Sequence, residues 1–70
     1  MMPLTLSNPG EKQVIVKVAG NEKTRKFLEN LGFVQGEEIS VVSSLNGNLI
    51  VNVKDSRVAV DQAMASKIYV

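Results

Sequence analysis

Cysteine and histidine are both absent from the 70-residue chain, and tryptophan with them. Without cysteine no disulfide can brace the fold, and a cysteine-dependent zinc site is excluded. The loss of histidine removes the usual nucleophile–base pairings as well, so triad-type acyl transfer has no residues to run on. Aromatics make up 4% of the chain, too few to form a row for base stacking or a groove for proline-rich peptides. No apolar run approaches the ~20 residues that a bilayer crossing needs. Met1-Met2-Pro3-Leu4 lacks the basic and apolar regions of a secretory leader, so the expected compartment is the cytoplasm. An excess of one charge is missing too: eight basic residues face seven acidic ones, for a net charge of +1. That balance supplies no long-range pull toward nucleic acid or an anionic membrane.

What is present is aliphatic. Hydrophobic residues make up 44% of the chain, a globular value and too high for disorder. The length suits one domain, residues 1–70, and no linker or internal repeat divides it. Below roughly 80 residues a core seldom supplies more than ~3–5 kcal/mol, so burial of Val, Ile and Leu must be efficient.

Read along the chain, the pattern is a string of short strands with one helix. Asn8-Pro9-Gly10 signals a turn. From Gln13 to Val18, Val14, Val16 and Val18 alternate with Lys17, which predicts a half-buried strand with the valines inward. Ile15 breaks the polar side, and a neighbouring element is expected to cover it. Asn21 is a good N-cap, and Thr24, Phe27, Leu28 and Leu31 follow at helical spacing with Phe27 expected in the core. Glu22 and Lys26 are placed for an i,i+4 pair. Gly32 ends the helix, with Phe33 positioned to fold back on Leu28. Gly36 suits the positive φ of a type II turn after Val34-Gln35. Ile39 and Val41 mark the next strand, Asn46-Gly47 a tight hairpin, and Leu49, Val51 and Val53 the inner face of the return strand. After a turn at Lys54-Asp55-Ser56 comes Arg57-Val58-Ala59-Val60. Asp61 caps one helical turn through Ala65, and Ile68 and Val70 point inward from a last short strand. Strands this short and numerous predict a mostly β fold, a small SH3-like barrel. One α-helix is inserted at about residues 21–31, with a short helical turn near the C-terminus. A mixed α+β open sheet is the alternative.

The same residues point away from catalysis. Glu37 and Glu38 are adjacent at a strand start and face opposite sides, so they cannot act as a carboxylate pair. Gly32, Gly36 and Gly47 fit no phosphate-loop spacing. Lys23, Arg25 and Lys26 cluster on the helix, but Glu22 and Glu29 lie among them. No catalytic residue, cofactor or metal ligand set is therefore expected. A binding surface is. The turn Phe33-Val34-Gln35 carries two apolar residues in a segment expected at the surface, and loops disproportionately carry function. Phe33 has a second possible duty as a helix stop, whereas Val34 has none. Lys23 and Lys26 could supply a charged rim, which gives Lys23, Lys26, Phe33, Val34 and Gln35 as the candidate partner-binding residues.

Taken together, several stretches carry a resemblance. Pro3-Leu4-Thr5-Leu6 with Pro9-Gly10, the capped helix running into Leu31-Gly32-Phe33 with Gly36 beyond, Ser56-Arg57-Val58-Ala59-Val60, and Ala65-Ser66-Lys67-Ile68-Tyr69-Val70 recur in order. The composite resembles the FeoA family, small cytosolic accessory proteins of bacterial ferrous-iron uptake. Gln35 departs from it, standing where the family usually has proline, and Val60 replaces a commoner leucine. The resemblance implies an SH3-like barrel that acts by protein–protein interaction on FeoB, a membrane transporter with a cytosolic GTP-binding domain. Two alternatives stand beside it: a ribosomal-type RNA-binding barrel, and a regulatory module like the SH3-like domain of metal-dependent repressors.

Overall fold

Branched aliphatic residues pair into six antiparallel strands in the computed structural model, which describes all 70 residues. A single 3-10 turn, Leu4–Leu6, precedes β1 (Lys12–Val14) and β2 (Lys17–Val18). Helix α1 (Glu22–Asn30) leads to β3 (Glu38–Leu45), β4 (Asn48–Val53) and β5 (Ser56–Val60). A short helix α2 (Gln62–Ala65) and β6 (Ile68–Tyr69) complete the chain. One sheet has the order β1-β3-β4-β5, and a second pairs β2 with β6. The N-terminal segment joins the second sheet, with Pro3 opposite Tyr69 and Met2 and Val70 exchanging backbone hydrogen bonds of 2.9 and 2.8 Å. No helix is long and apolar enough to cross a membrane.

The local signals behave as their chemistry requires. Thr24 N–H donates to Asn21 Oδ1 at 2.8 Å, and Met64 N–H donates to Asp61 Oδ1 at 2.8 Å, so both helices carry side-chain N-caps. At the end of α1, Gly32 N–H donates to Glu29 O and Phe33 N–H to Leu28 O, the two bonds of a Schellman motif. Gly32 takes φ +106°, a conformation that only glycine adopts without strain. Asn46 and Gly47 both have positive φ at the β3–β4 turn, as a type I′ hairpin demands. Ile39 lies opposite Val53 and Val41 opposite Val51, and all four are buried. A bulge follows between Val41 and Ser43.

Twelve buried residues form one core, from Leu4 and Ile15 through Leu28 and Phe33 to Val60, Ala65 and Ile68. Two core expectations need correction. The segment from Gln13 to Val18 is two strands and not one. Val14 and Val16 are 51% and 45% exposed, while Ile15 is fully buried. The reason is a change of sheet at Ile15, since β1 pairs with β3 and β2 with β6. Strict alternation cannot run through a corner. Phe27 is the second case: it is 52% exposed, and Leu28 is the only fully buried residue of α1. The helix touches the barrel along a narrow stripe, and Phe33 fills the aromatic place in the core.

Candidate functional site

The Schellman turn sets where the candidate residues go. Reversing the chain at Gly32 drives Phe33 inward, where it has no exposed surface. Phe33 is thus a core residue and cannot meet a partner as an exposed side chain, which settles its two possible duties in favour of the structural one. Val34 is half-buried and Gln35 exposed. Glu37 N–H donates to Val34 O at 3.1 Å across Gln35 and Gly36, and Gly36 has φ +88°, as a type II turn requires.

Backbone hydrogen bonds then staple this turn to the β1–β2 corner. Gly36 N–H donates to Ile15 O at 2.8 Å, and Ile15 N–H donates to Glu37 O at 2.9 Å. The two exposed valines that broke the strand reading are explained by the same bonds. Val16 emerges beside Val34, on the far side of the buried Ile15.

A groove of about 450 Å³ lies between these segments. Val16, Lys17 and Val18 form one wall, and Arg25 and Glu29 of α1 form the other. Val34 and Gln35 close one end over the buried ring of Phe33, and Met1 also reaches it. The lining mixes apolar side chains, Val16, Val18 and Val34 among them, with the charged Lys17, Arg25 and Glu29. Lys17 Nζ sits 6.0 Å from the centroid of the Tyr69 ring, at the outer limit of a cation–π contact.

The lysines expected beside Val34 lie elsewhere. At about 100° per residue, Arg25 and Glu29 flank the buried Leu28 stripe on one side, while Lys23 falls with Phe27 on the other. Lys23 and Lys26 are both exposed, and Lys26 is paired with Glu22 at 3.2 Å, the i,i+4 bridge that the spacing predicts. Neither lysine lines the groove. Of the five candidate residues, the fold brings Phe33, Val34 and Gln35 together and leaves Lys23 and Lys26 apart.

Sequence reasoning did not place Val16, Val18, Arg25 and Glu29 in this site. Arg25 and Glu29 carried a usable signal, since their i,i+4 spacing marks one helix face. The valines carried none, because their exposure depends on the change of sheet. No group of three Asp or Glu side chains is placed to hold a metal ion. A second depression, lined by Glu37, Glu38, Asp55, Lys12 and Lys54, mixes both charges and is mostly polar.

Comparison with known proteins identifies the fold and the family. The FeoA domain model matches residues 2–70. The chain belongs to the FeoA family. An Fe(2+) transport protein A of Methanocaldococcus jannaschii is 29% identical over 70 residues, covering all of this chain and 85% of that protein. A crystal structure of an iron uptake regulatory protein, FeoA, superposes with a TM-score of 0.89 at 28% identity, over 96% of this chain and 91% of that one. FeoA of Stenotrophomonas maltophilia, solved with zinc, gives a TM-score of 0.84 at 27% identity over 99% and 88%. That protein is described as a prokaryotic SH3-domain protein and suggested as an activating factor of bacterial ferrous iron transport. The mostly β architecture with its inserted helix is accordingly the SH3-like fold of the FeoA family. Family membership makes the chain a non-enzymatic accessory of ferrous iron transport.

Proposed function

We propose that this chain is a cytosolic accessory factor that binds the cytosolic part of a FeoB-type GTP-binding transporter and raises ferrous iron uptake. The observation that carries this reading is the family match over residues 2–70, together with the activating role suggested for the S. maltophilia relative. The structure supports an interaction role through the groove. It is lined by the apolar Val16, Val18 and Val34 and by the charged Lys17, Arg25 and Glu29, the two kinds of side chain that contact patches combine. Val34 and Gln35 are the residues that face the transporter.

Co-purification tests the reading. The tagged chain is expected to retain the transporter from detergent extracts, and guanine nucleotide is included or omitted to find the competent state. Val34→Asp, with circular dichroism and melting unchanged, is expected to weaken retention by about tenfold or more, the effect of about 1.4 kcal/mol at one contact. Retention unaffected by Val34→Asp would remove the groove from the interface. No retention in either nucleotide condition would remove the transporter as partner.

A further inference from the structure

One wall of the groove is a strand with a free edge. β2 takes part in a single ladder, with β6, and no strand pairs with its other side. Ala19 N–H donates to Lys67 O at 2.7 Å, and Lys17 lies opposite Tyr69. Antiparallel ladders alternate, so between these bonded positions the Val18 N–H and C=O turn away from β6. Neither group has a hydrogen-bond partner among the turn, loop and cap bonds of the chain. Val18 lines the groove, so the free edge belongs to it.

Charge narrows the occupant further. The groove carries Lys17 and Arg25 against the single carboxylate of Glu29. Arg25 forms no ion pair within the chain, whose one salt bridge is Lys26–Glu22 on a different part of the helix. Both cations line the groove together with Val16, Val18 and Val34.

We propose that the groove binds an extended partner segment that adds as a strand to the free edge of β2. It seats apolar side chains on Val16, Val18 and Val34 and sets a carboxylate between Lys17 and Arg25. Main-chain hydrogen bonds to an exposed sheet edge give such a mode its affinity, and the alternate side chains give its specificity. Glu29, one turn along from Arg25, weakens the hold on a carboxylate set beside it. Because β2 spans only Lys17–Val18, the added strand is short, and the contact is weak unless the rest of the partner also binds. The inference rests on the reading of the groove as the partner-facing surface and names the chemistry of what enters it.

Two capped synthetic hexapeptides test it, one alternating valine with glutamate and one alternating valine with lysine, each titrated into the 15N-labelled chain. The glutamate peptide is expected to shift the amides of Val16, Lys17, Val18 and Ala19 and to slow exchange of the Val18 amide, with a dissociation constant of about 1 mM. Arg25→Glu is expected to weaken it by about fivefold, and Glu29→Gln to tighten it by about twofold, as for exposed charge pairs. Both variants lie on the exposed side of α1 and leave the core intact. An absence of β2 shifts at several times that concentration, an equal response to the lysine peptide, or shifts confined to another face would each overturn the proposal. Peptide failure alongside a Val34→Asp-sensitive transporter complex rejects the segment chemistry and keeps the transporter reading. Peptide binding alongside a complex indifferent to Val34→Asp keeps the segment chemistry and removes the groove from the transporter interface.

Discussion

Adjacent residues Phe27 and Leu28 show how sharply burial divides at the helix–barrel contact. Leu28 has no exposed surface and Phe27 is half-exposed, although Phe is the larger side chain. Leu28→Ala leaves a cavity in a core with little to spare and is expected to cost about 2–5 kcal/mol, comparable to the whole stability of a domain this small. Phe27→Ala is expected to cost under about 1 kcal/mol, because the ring already meets water and leaves no cavity. Chemical denaturation of the two variants checks the pair, and equal losses would contradict the helix register. Ser7 poses the opposite problem. Its hydroxyl is buried, and its Oγ has no hydrogen-bond partner. A buried unsatisfied hydroxyl costs about 1–3 kcal/mol, so Ser7→Ala is expected to leave the melting temperature unchanged or raise it. A clear fall would show that the hydroxyl is bonded in solution.

At the scale of elements, caps and turns were legible because each depends on a few neighbouring residues. Asn21, Asp61, Gly32 and Asn46-Gly47 all act where their local chemistry predicts. Core sides were less legible wherever the chain changes sheet or packs at a helix margin. Val14 and Val16 were misplaced because of the β1–β2 corner, Phe27 because of its position at the edge of the buried stripe, and Leu4 was hidden because its burial depends on a 3-10 turn folding back onto distant segments. Of the site, the turn at Val34 and Gln35 was readable. The opposing wall was not, because it comes from β2 and from the arginine side of α1. The two hairpin turns also differ in quality. Asn46-Gly47 meets its positive φ values cheaply, whereas Lys54 and Asp55 hold φ +49° and +61° with ordinary side chains. Left-handed backbone costs a residue such as lysine roughly 1–2 kcal/mol, part of which glycine would return as chain entropy. Replacing Lys54-Asp55 by Asn-Gly is therefore expected to stabilise the domain by about 0.5–1 kcal/mol. Equilibrium unfolding measures it, and a loss of stability would mean that the Lys54 side chain, which packs over Gly32, contributes more than its backbone strain costs.

For the whole molecule, the barrel brings four segments far apart in sequence together around one groove. The barrel holds those segments in register through the bonds from Ile15 to Gly36 and Glu37, so the fold itself builds the groove. The proposed contact with a transporter rests on that arrangement and on the family match. The most direct test is ferrous iron uptake in cells that lack the native copy and express either the wild-type chain or Val34→Asp at equal levels. Phe27→Ala serves as a control on the opposite flank of α1. The account predicts that the wild type and Phe27→Ala restore uptake and that folded Val34→Asp does not. Full uptake with Val34→Asp would contradict it.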